Sequence, residues 1–392
     1  MKIESKLVHA GDRKKAGPFI PVTTPIYTAA SYFYDSMAQL DRVMGREEEG
    51  PSYARYDNPT GSALEELVNT LENGGGAVAC ASGMSAVHLG LIAALLDRPK
   101  KVVAGNVLYG ATVSTLMKIM EPFGVETTWV NICDLDAVER AIHEVKPGLV
   151  LMETVSNPLL RVGAMDKIAE MARKGGVPLM VDNTFATPLL VRPLELGASI
   201  VIHSATKYMA GHGDVLGGLI VADNEYCGTI RTLSRTVGPV MSPFEAYLTM
   251  RGIKTMGLRI ERQCANACKI ASWLASHPRI ERVHFPGDPN HPDALTIARL
   301  FPKNLYGAMI SIELKGGREE VFAFMEKLKM IVRATSLGDV HTMILYPAMA
   351  SHRDLSPKHR ARLGIGDGLV RISVGIEAPE DIIADLEQAL KS

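Results

Sequence analysis

Between residues 77 and 221 short apolar runs alternate with longer segments of helical periodicity. The runs fall at 77–80, 101–104, 127–130, 149–152, 179–181, 200–202 and 219–221. Several are apolar on consecutive residues, as strands buried on both faces of a parallel sheet must be. The segments between them, such as 164–174, repeat apolar residues at three- and four-residue spacing. This alternation predicts a doubly wound, mostly parallel α/β sheet. Ahead of it, Leu64, Leu67, Val68 and Leu71 make one helical stripe. Ser62 and Glu65 have the spacing of a capping box at its start, and Asn73 with three glycines ends it. A helical stretch over about 244–276 leads into a third region. There 283–285, 307–314 and 369–374 read as strands, and 321–328 and 382–390 as helices, the second with Pro379 near its first turn. A smaller α+β domain is expected. Residues 1–57, punctuated by Pro18, Pro21, Pro25 and Pro51, read as an irregular arm that must lie on its own subunit or on a neighbour. The expected division is 1–57, 58–250 and 251–392.

Composition narrows the class. With 392 residues, 47% of them hydrophobic, the chain can bury a large core. Its 42 Lys and Arg against 43 Asp and Glu leave a net charge of −1, so nothing pulls it globally toward nucleic acid or an anionic membrane. Five scattered cysteines do not make a secreted disulfide framework. The charged start is not a signal peptide, and the most apolar stretch, 77–96, is interrupted by Ser82, Gly83, Ser85 and His88. No membrane or nucleic-acid partner is expected, and the expected compartment is the cytoplasm.

The candidate chemistry lies where strands end. One strand runs straight into His203-Ser-Ala-Thr-Lys207, and ligands of open α/β sheets gather outside the carboxyl ends of the strands. Ser204 and Thr206 beside Lys207 suit a phosphate and an imine-forming amine; a lysine on a solvated loop is the alternative. Asp182 ends another buried strand and would share that edge, where a carboxylate can keep a pyridine nitrogen protonated. A helix N-cap is the plainer role. Gly83 and Met84 enter a helix whose first amides would bind an anion. Tyr109, after the next strand, can stack on a flat ring or fill a core. Asn157 can meet a ring oxygen or form a turn before Pro158. Arg371 alternates out from Val370, Ile372 and Val374 on its strand and can clamp a carboxylate with two hydrogen bonds. The histidines lack metal-ligand spacing, and no metal is expected. Neither a GxGxxG nor a Walker loop occurs.

These pieces together resemble the pyridoxal-phosphate enzymes of cysteine and methionine metabolism, which include cystathionine γ-synthases, cystathionine γ-lyases, methionine γ-lyases and O-acylhomoserine sulfhydrylases. The resemblance runs from Tyr53-Ala-Arg-Tyr-Asp-Asn-Pro-Thr60 through Ser82-Gly-Met84, Val181-Asp-Asn-Thr184 and His203-Ser-Ala-Thr-Lys-Tyr208 to Val370-Arg-Ile-Ser-Val-Gly375. It implies fold type I, pyridoxal 5′-phosphate (PLP) bound in the 58–250 domain, and a homotetramer of two intimate dimers with shared active sites. Lys207 would be joined to the cofactor and later shuttle protons. Asp182 would pair with the ring nitrogen, and Tyr109 would stack on the ring and assist the leaving group. Gly83, Met84, Ser204 and Thr206 would hold the phosphate, which Tyr53 and Arg55 would reach from a neighbouring subunit. Arg371, Asn157 and Ser336 would hold the carboxylate of an amino-acid substrate. Thr335 stands where many cystathionine-handling members carry glutamate. Ala111 replaces a cysteine of many methionine γ-lyases, and Ser234-Arg235 a Lys-Asp pair. Ser336-Leu-Gly-Asp339 is similar to methionine γ-lyases and O-succinylhomoserine sulfhydrylases. The expected activity is γ-elimination on sulfur-containing L-amino acids. Replacement on an O-acyl-L-homoserine is the alternative, and a catalytically silent PLP-fold protein a third.

Overall fold

The computed structural model describes residues 1–14, 18–353 and 357–391. All seven apolar runs of the first region form strands: β1 (Gly76–Cys80), β2 (Lys101–Gly105), β3 (Glu126–Val130), β4 (Leu149–Glu153), β5 (Leu179–Asp182), β6 (Ile200–Ser204) and β7 (Gly218–Ala222). They form one sheet in the order β1-β7-β6-β5-β4-β2-β3. Neighbours from β6 to β3 are parallel, and β7 runs antiparallel to both β1 and β6.

Both faces of this sheet are covered, which is why its inner strands are apolar along most of their length and turn polar only at their ends. Val150, Met152, Val181 and Val201 join one core with Leu64, Leu67 and Ile168. Leu149, Leu151, Met180 and Ile202 join the core on the other face with Leu89 and Leu91. Alternate residues of one strand thus enter different cores, as the two-residue pleat requires. Each buried side chain of this size contributes about 1.5–3 kcal/mol of burial.

The second sheet holds β8 (Ile280–His284), β9 (Met309–Leu314), β10 (Val332–Arg333), β11 (Met343–Leu345) and β12 (Leu369–Ser373) in the order β10-β11-β12-β9-β8. Val370, Ile372 and Val374 pack with Ile382 and Leu386 of the last helix, Pro379–Leu390. This leaves Arg371 for the opposite face. The α/β fold with a smaller α+β part is therefore as expected.

Local expectations needed correction in four places. Helix Pro59–Glu72 is capped by Asn58, whose Oδ1 accepts from the Thr60 and Gly61 amides at 3.0 and 3.3 Å. Ser62 instead bonds Asp57, and Glu65 reaches across to the Ala79 amide at 2.9 Å. The capping-box spacing was therefore fortuitous, because Asn58 with Pro59 is the stronger start. The 244–276 stretch is two helices, Pro243–Lys254 and Met256–Ala275, broken at Thr255. The arm is not wholly irregular. Ile3–His9 is helical and buries Leu7 in the chain's own core, and Met37–Met44 is helical behind an Ser36 cap. Both are too short to be stable alone, so packing had to supply what the local pattern could not. Finally, β10 and β11 have two and three residues, too few to show a period.

Candidate active site

The carboxyl ends of β1, β4, β5 and β6 and the second sheet enclose a cleft of about 440 Å³. Ser82, Gly83 and Met84 line it from the turn after β1, Glu153 and Asp182 from the last positions of β4 and β5, and Ser204, Thr206 and Lys207 from the end of β6. Tyr109, Asn157, Thr335 and Arg371 complete it with apolar Leu216, Leu337 and Leu345. Sheet register accounts for the clustering, since Glu153 lies opposite Asp182, Asp182 opposite Ile202 and Ser204 opposite Gly218.

One end of the cleft is built for an anion. Helix Gly83–Leu95 begins there, capped by Ser82, whose Oγ accepts from the Ser85 amide at 3.1 Å. The Gly83 and Met84 amides, like the first amides of any helix, have no intrahelical partner. A Cβ at Gly83 would crowd Ser204, and one at Gly218 would strike the Ser82 carbonyl oxygen. Glycine at both positions lets the helix start sit against β6 and β7. Thr206 Oγ1 accepts from the Gly217 amide at 3.0 Å.

Lys207 is half-buried, and its Nζ donates to Ser336 Oγ at 3.0 Å. Burial, aided by the field of Arg371, lowers its pKa from 10.5 to about 8. Arg371 is buried; it donates to Asn157 Oδ1 at 2.8 Å and to the Ser336 carbonyl at 3.3 Å. Burial brings its pKa down to about 10, so it remains a cation at neutral pH. Its Nε has no hydrogen-bond partner among the described residues. Burial raises the pKa of Asp182, against the opposing hydrogen bonds of Thr184 and the field of His203. Burial and the neighbouring Asp182 hold Glu153 well above the ordinary carboxylate range.

The cleft brings together Gly83, Met84, Tyr109, Asn157, Asp182, Ser204, Thr206, Lys207, Thr335 and Arg371, with Ser336 on the lysine. Tyr53 and Arg55 are not brought to it on the same chain. Arg55 lies elsewhere on the surface, bonded to the Arg235 carbonyl and 4.5 Å over the Tyr56 ring, and Tyr53 is exposed. Glu153 has no assigned role in the sequence reading, although a carboxylate ending a buried strand was the signal that singled out Asp182. Its Oε1 accepts from the Tyr109 amide at 2.6 Å and so braces the loop that presents the ring. Thr184, Phe185 and Ser351 also line the cleft without any local sequence signal. Among the described residues no three His, Cys, Asp or Glu side chains are grouped as a metal site would require.

The family model for "Cys/Met metabolism PLP-dependent enzyme" matches residues 4–391. The chain belongs to this family. An L-methionine gamma-lyase of Fusobacterium nucleatum subsp. polymorphum is 42% identical over 387 residues, covering 98% of this chain and 96% of that protein. A cystathionine gamma-lyase of Bacillus subtilis is 40% identical and covers both chains in full. A crystal structure of cystathionine gamma synthase from Xanthomonas oryzae pv. oryzae superposes with a TM-score of 0.92 at 36% identity, covering 100% of this chain and 98% of that one. The protein is a PLP-dependent enzyme, a γ-lyase or a related transsulfuration enzyme, with the type I fold. The cleft fits the cofactor: amides and hydroxyls at one end can hold a phosphate, a carboxylate is available for a ring nitrogen, and an amine of lowered basicity is available for an aldehyde.

The lysine can be tested directly. Its folded pKa lies below its unfolded one, so burying this amine destabilises the fold below about pH 8, and that penalty fades as pH rises to 10.5. In cofactor-free protein, Lys207 should react with trinitrobenzenesulfonate with a midpoint near pH 8. Peptide mapping across pH reads this out, and an ordinary lysine midpoint would contradict the electrostatics described.

Proposed function

We propose that the enzyme carries out γ-elimination on sulfur-containing L-amino acids of the methionine, cystathionine or homocysteine type, releasing a thiol, ammonia and 2-oxobutyrate. The observation that carries this is the Lys207 amine, held 3.0 Å from Ser336 in the cleft that also holds Asp182, Tyr109 and Arg371. Bound PLP supplies an electron sink for the charge that develops when the substrate's α-carbon loses its proton.

The chain's own residues do the rest. Lys207 would hold the cofactor's aldehyde, and its amine, neutral enough near its pKa of about 8, would take and return protons at the substrate's carbons. Asp182 would keep the proton on the ring nitrogen, and Tyr109 would stack on the ring and assist departure of the γ-substituent. The Gly83 and Met84 amides and the Ser204 and Thr206 hydroxyls bind the phosphate. Arg371, with Asn157 and Ser336, clamps the substrate carboxylate, and a carboxylate there gives the unpartnered Nε a partner.

The rest of the cleft lining includes Leu216, Leu337, Leu345 and Ala350 with uncharged Thr335 and Ser351. Such a wall suits an alkyl thioether better than a second zwitterion. Replacement on an O-acyl-L-homoserine would use the same residues, and the likeness to a cystathionine gamma synthase favours it.

We assign Tyr53 and Arg55 to the phosphate site of a second copy in a tetramer of two dimers. In support, Lys207 and Arg371 are engaged with Ser336 and Asn157, while Arg55 belongs to an arm that also exposes Phe19, Ile20, Val22 and Phe33. The arm would then be 1–57, the cofactor domain 58–250 and the C-terminal domain 251–392. No helix among the described residues is long and apolar enough to cross a membrane. Five free cysteines, two of them buried, fit the proposed cytoplasmic setting.

Three outcomes are expected. Given methionine without added thiol, the enzyme forms 2-oxobutyrate and ammonia, and Lys207→Ala slows this by at least about a hundredfold; unchanged turnover would remove Lys207 from its role. Arg55→Ala weakens PLP retention by about tenfold, the worth of one charge-assisted contact; a stable monomer that keeps PLP normally would end the shared-site assignment. Thr335→Glu raises the cystathionine-to-methionine ratio of kcat/KM by about tenfold, and an unmoved ratio would discard the pocket assignment.

A further inference from the structure

Behind the cleft, outside the residues assigned above, lies a fully buried polar chain. Glu72 is the last residue of helix Pro59–Glu72, and His203 stands on β6. Their side chains are 0% and 1% exposed, with His203 Nε2 2.6 Å from Glu72 Oε1. Asn183 Nδ2 donates to the same oxygen at 3.2 Å and to the Val191 carbonyl at 2.8 Å. Thr154 Oγ1 donates to Asn183 Oδ1 at 2.7 Å.

The placement of these residues is what matters. Thr154, Asn183 and His203 are the chain neighbours of Glu153, Asp182 and Ser204, which line the cleft. Neighbours along a strand face opposite ways. At the ends of β4, β5 and β6 one face therefore builds the cleft while the other carries this chain. Backbone bonds lock the three strand ends together, with the Thr154 amide on the Asp182 carbonyl at 3.0 Å and the Asn183 amide on the Ile202 carbonyl at 2.8 Å.

Fold stability is a poor explanation for the pair. Burying a carboxylate and an imidazole is costly, and apolar side chains of similar volume often do as well or better. Glu72 Oε2 and His203 Nδ1 even lack hydrogen-bond partners among the described residues. Alignment explains it better, because one carboxylate oxygen ties the helix to β5 and β6, and Asn183 extends the tie to β4. We propose that Glu72 and His203 are positioning residues that fix the Asp182 carboxylate against the cofactor ring. This rests on the assignment of Asp182 as the ring-nitrogen partner. Glu153 and His203 are the titratable groups whose fields couple to Asp182.

The holoenzyme of Glu72→Gln tests this, since the substitution keeps the shape and removes the charge. With native circular dichroism, kcat should fall about tenfold while KM stays within about twofold. The pH titration of the cofactor's visible band should move by about half a unit. A pair that only supports the fold would lower the melting temperature and leave that titration in place, which would overturn the proposal. Thr154→Val cuts the chain at its far end with little change of shape and should move the band in the same direction. It decides the matter if Glu72→Gln does not fold. Asp182→Asn separates the two assignments. If it leaves band and turnover unchanged, the Asp182 role has failed; if it alters both while Glu72→Gln and Thr154→Val alter neither, only the present proposal has.

Discussion

Two cations, Lys207 and Arg371, share one cleft between two sheets, and the field of the arginine makes the lysine's proton harder to keep. Burial takes both out of water, and neither meets a carboxylate at ion-pair distance among the described residues. Their ordinary proton affinities decide the outcome. A guanidinium lowered to about 10 is still charged at neutral pH, whereas an ammonium lowered to about 8 is within reach of losing its proton. The same burial thus produces a permanent cation, suited to an anionic group, and an amine that can act as a nucleophile and base.

Holding that arrangement requires both sheets. Lys207 follows β6 of the first, while Ser336 and Arg371 belong to the second part of the chain. The joint is hydrogen-bonded, with the Val340 amide donating to the Gly211 carbonyl at 3.0 Å. Within the second part the Gly338 amide donates to Ser373 Oγ at 2.8 Å, holding the Ser336 loop against the Arg371 strand. The buried guanidinium of Arg259 donates to the Tyr208 and Gly252 carbonyls at 2.9 and 2.8 Å, securing the turn after the lysine. Loosening this joint would let water reach Lys207 and return its pKa toward 10.5.

Much of this was legible in the sequence because buried parallel strands leave a strong local signal. Short apolar runs, several of them continuous, located every strand of the first sheet, and residues at their ends pointed to Asp182, Ser204, Thr206 and Lys207. The signal failed where stability is not local. Helix Ile3–His9 depends on Leu7 entering a distant core, and β10 depends on pairing with β11. Spacing alone also misled, since Ser62 and Glu65 match a cap but bond elsewhere.

The amino-acid order by itself determined the alternation of strand and helix, the positions where strands end, and the residue types available there. It could do so because side-chain period and strand termination are properties of neighbouring residues. Only the tertiary structure decided which of those residues share one cleft, that Glu153 braces the Tyr109 loop, and that Tyr53 and Arg55 lie away from the cleft of their own chain. It also decided that Glu72 meets His203 across 131 positions. Contacts of that kind depend on how sheets and helices close over one another, and their electrostatic consequences come from excluding water, which no stretch of sequence does alone.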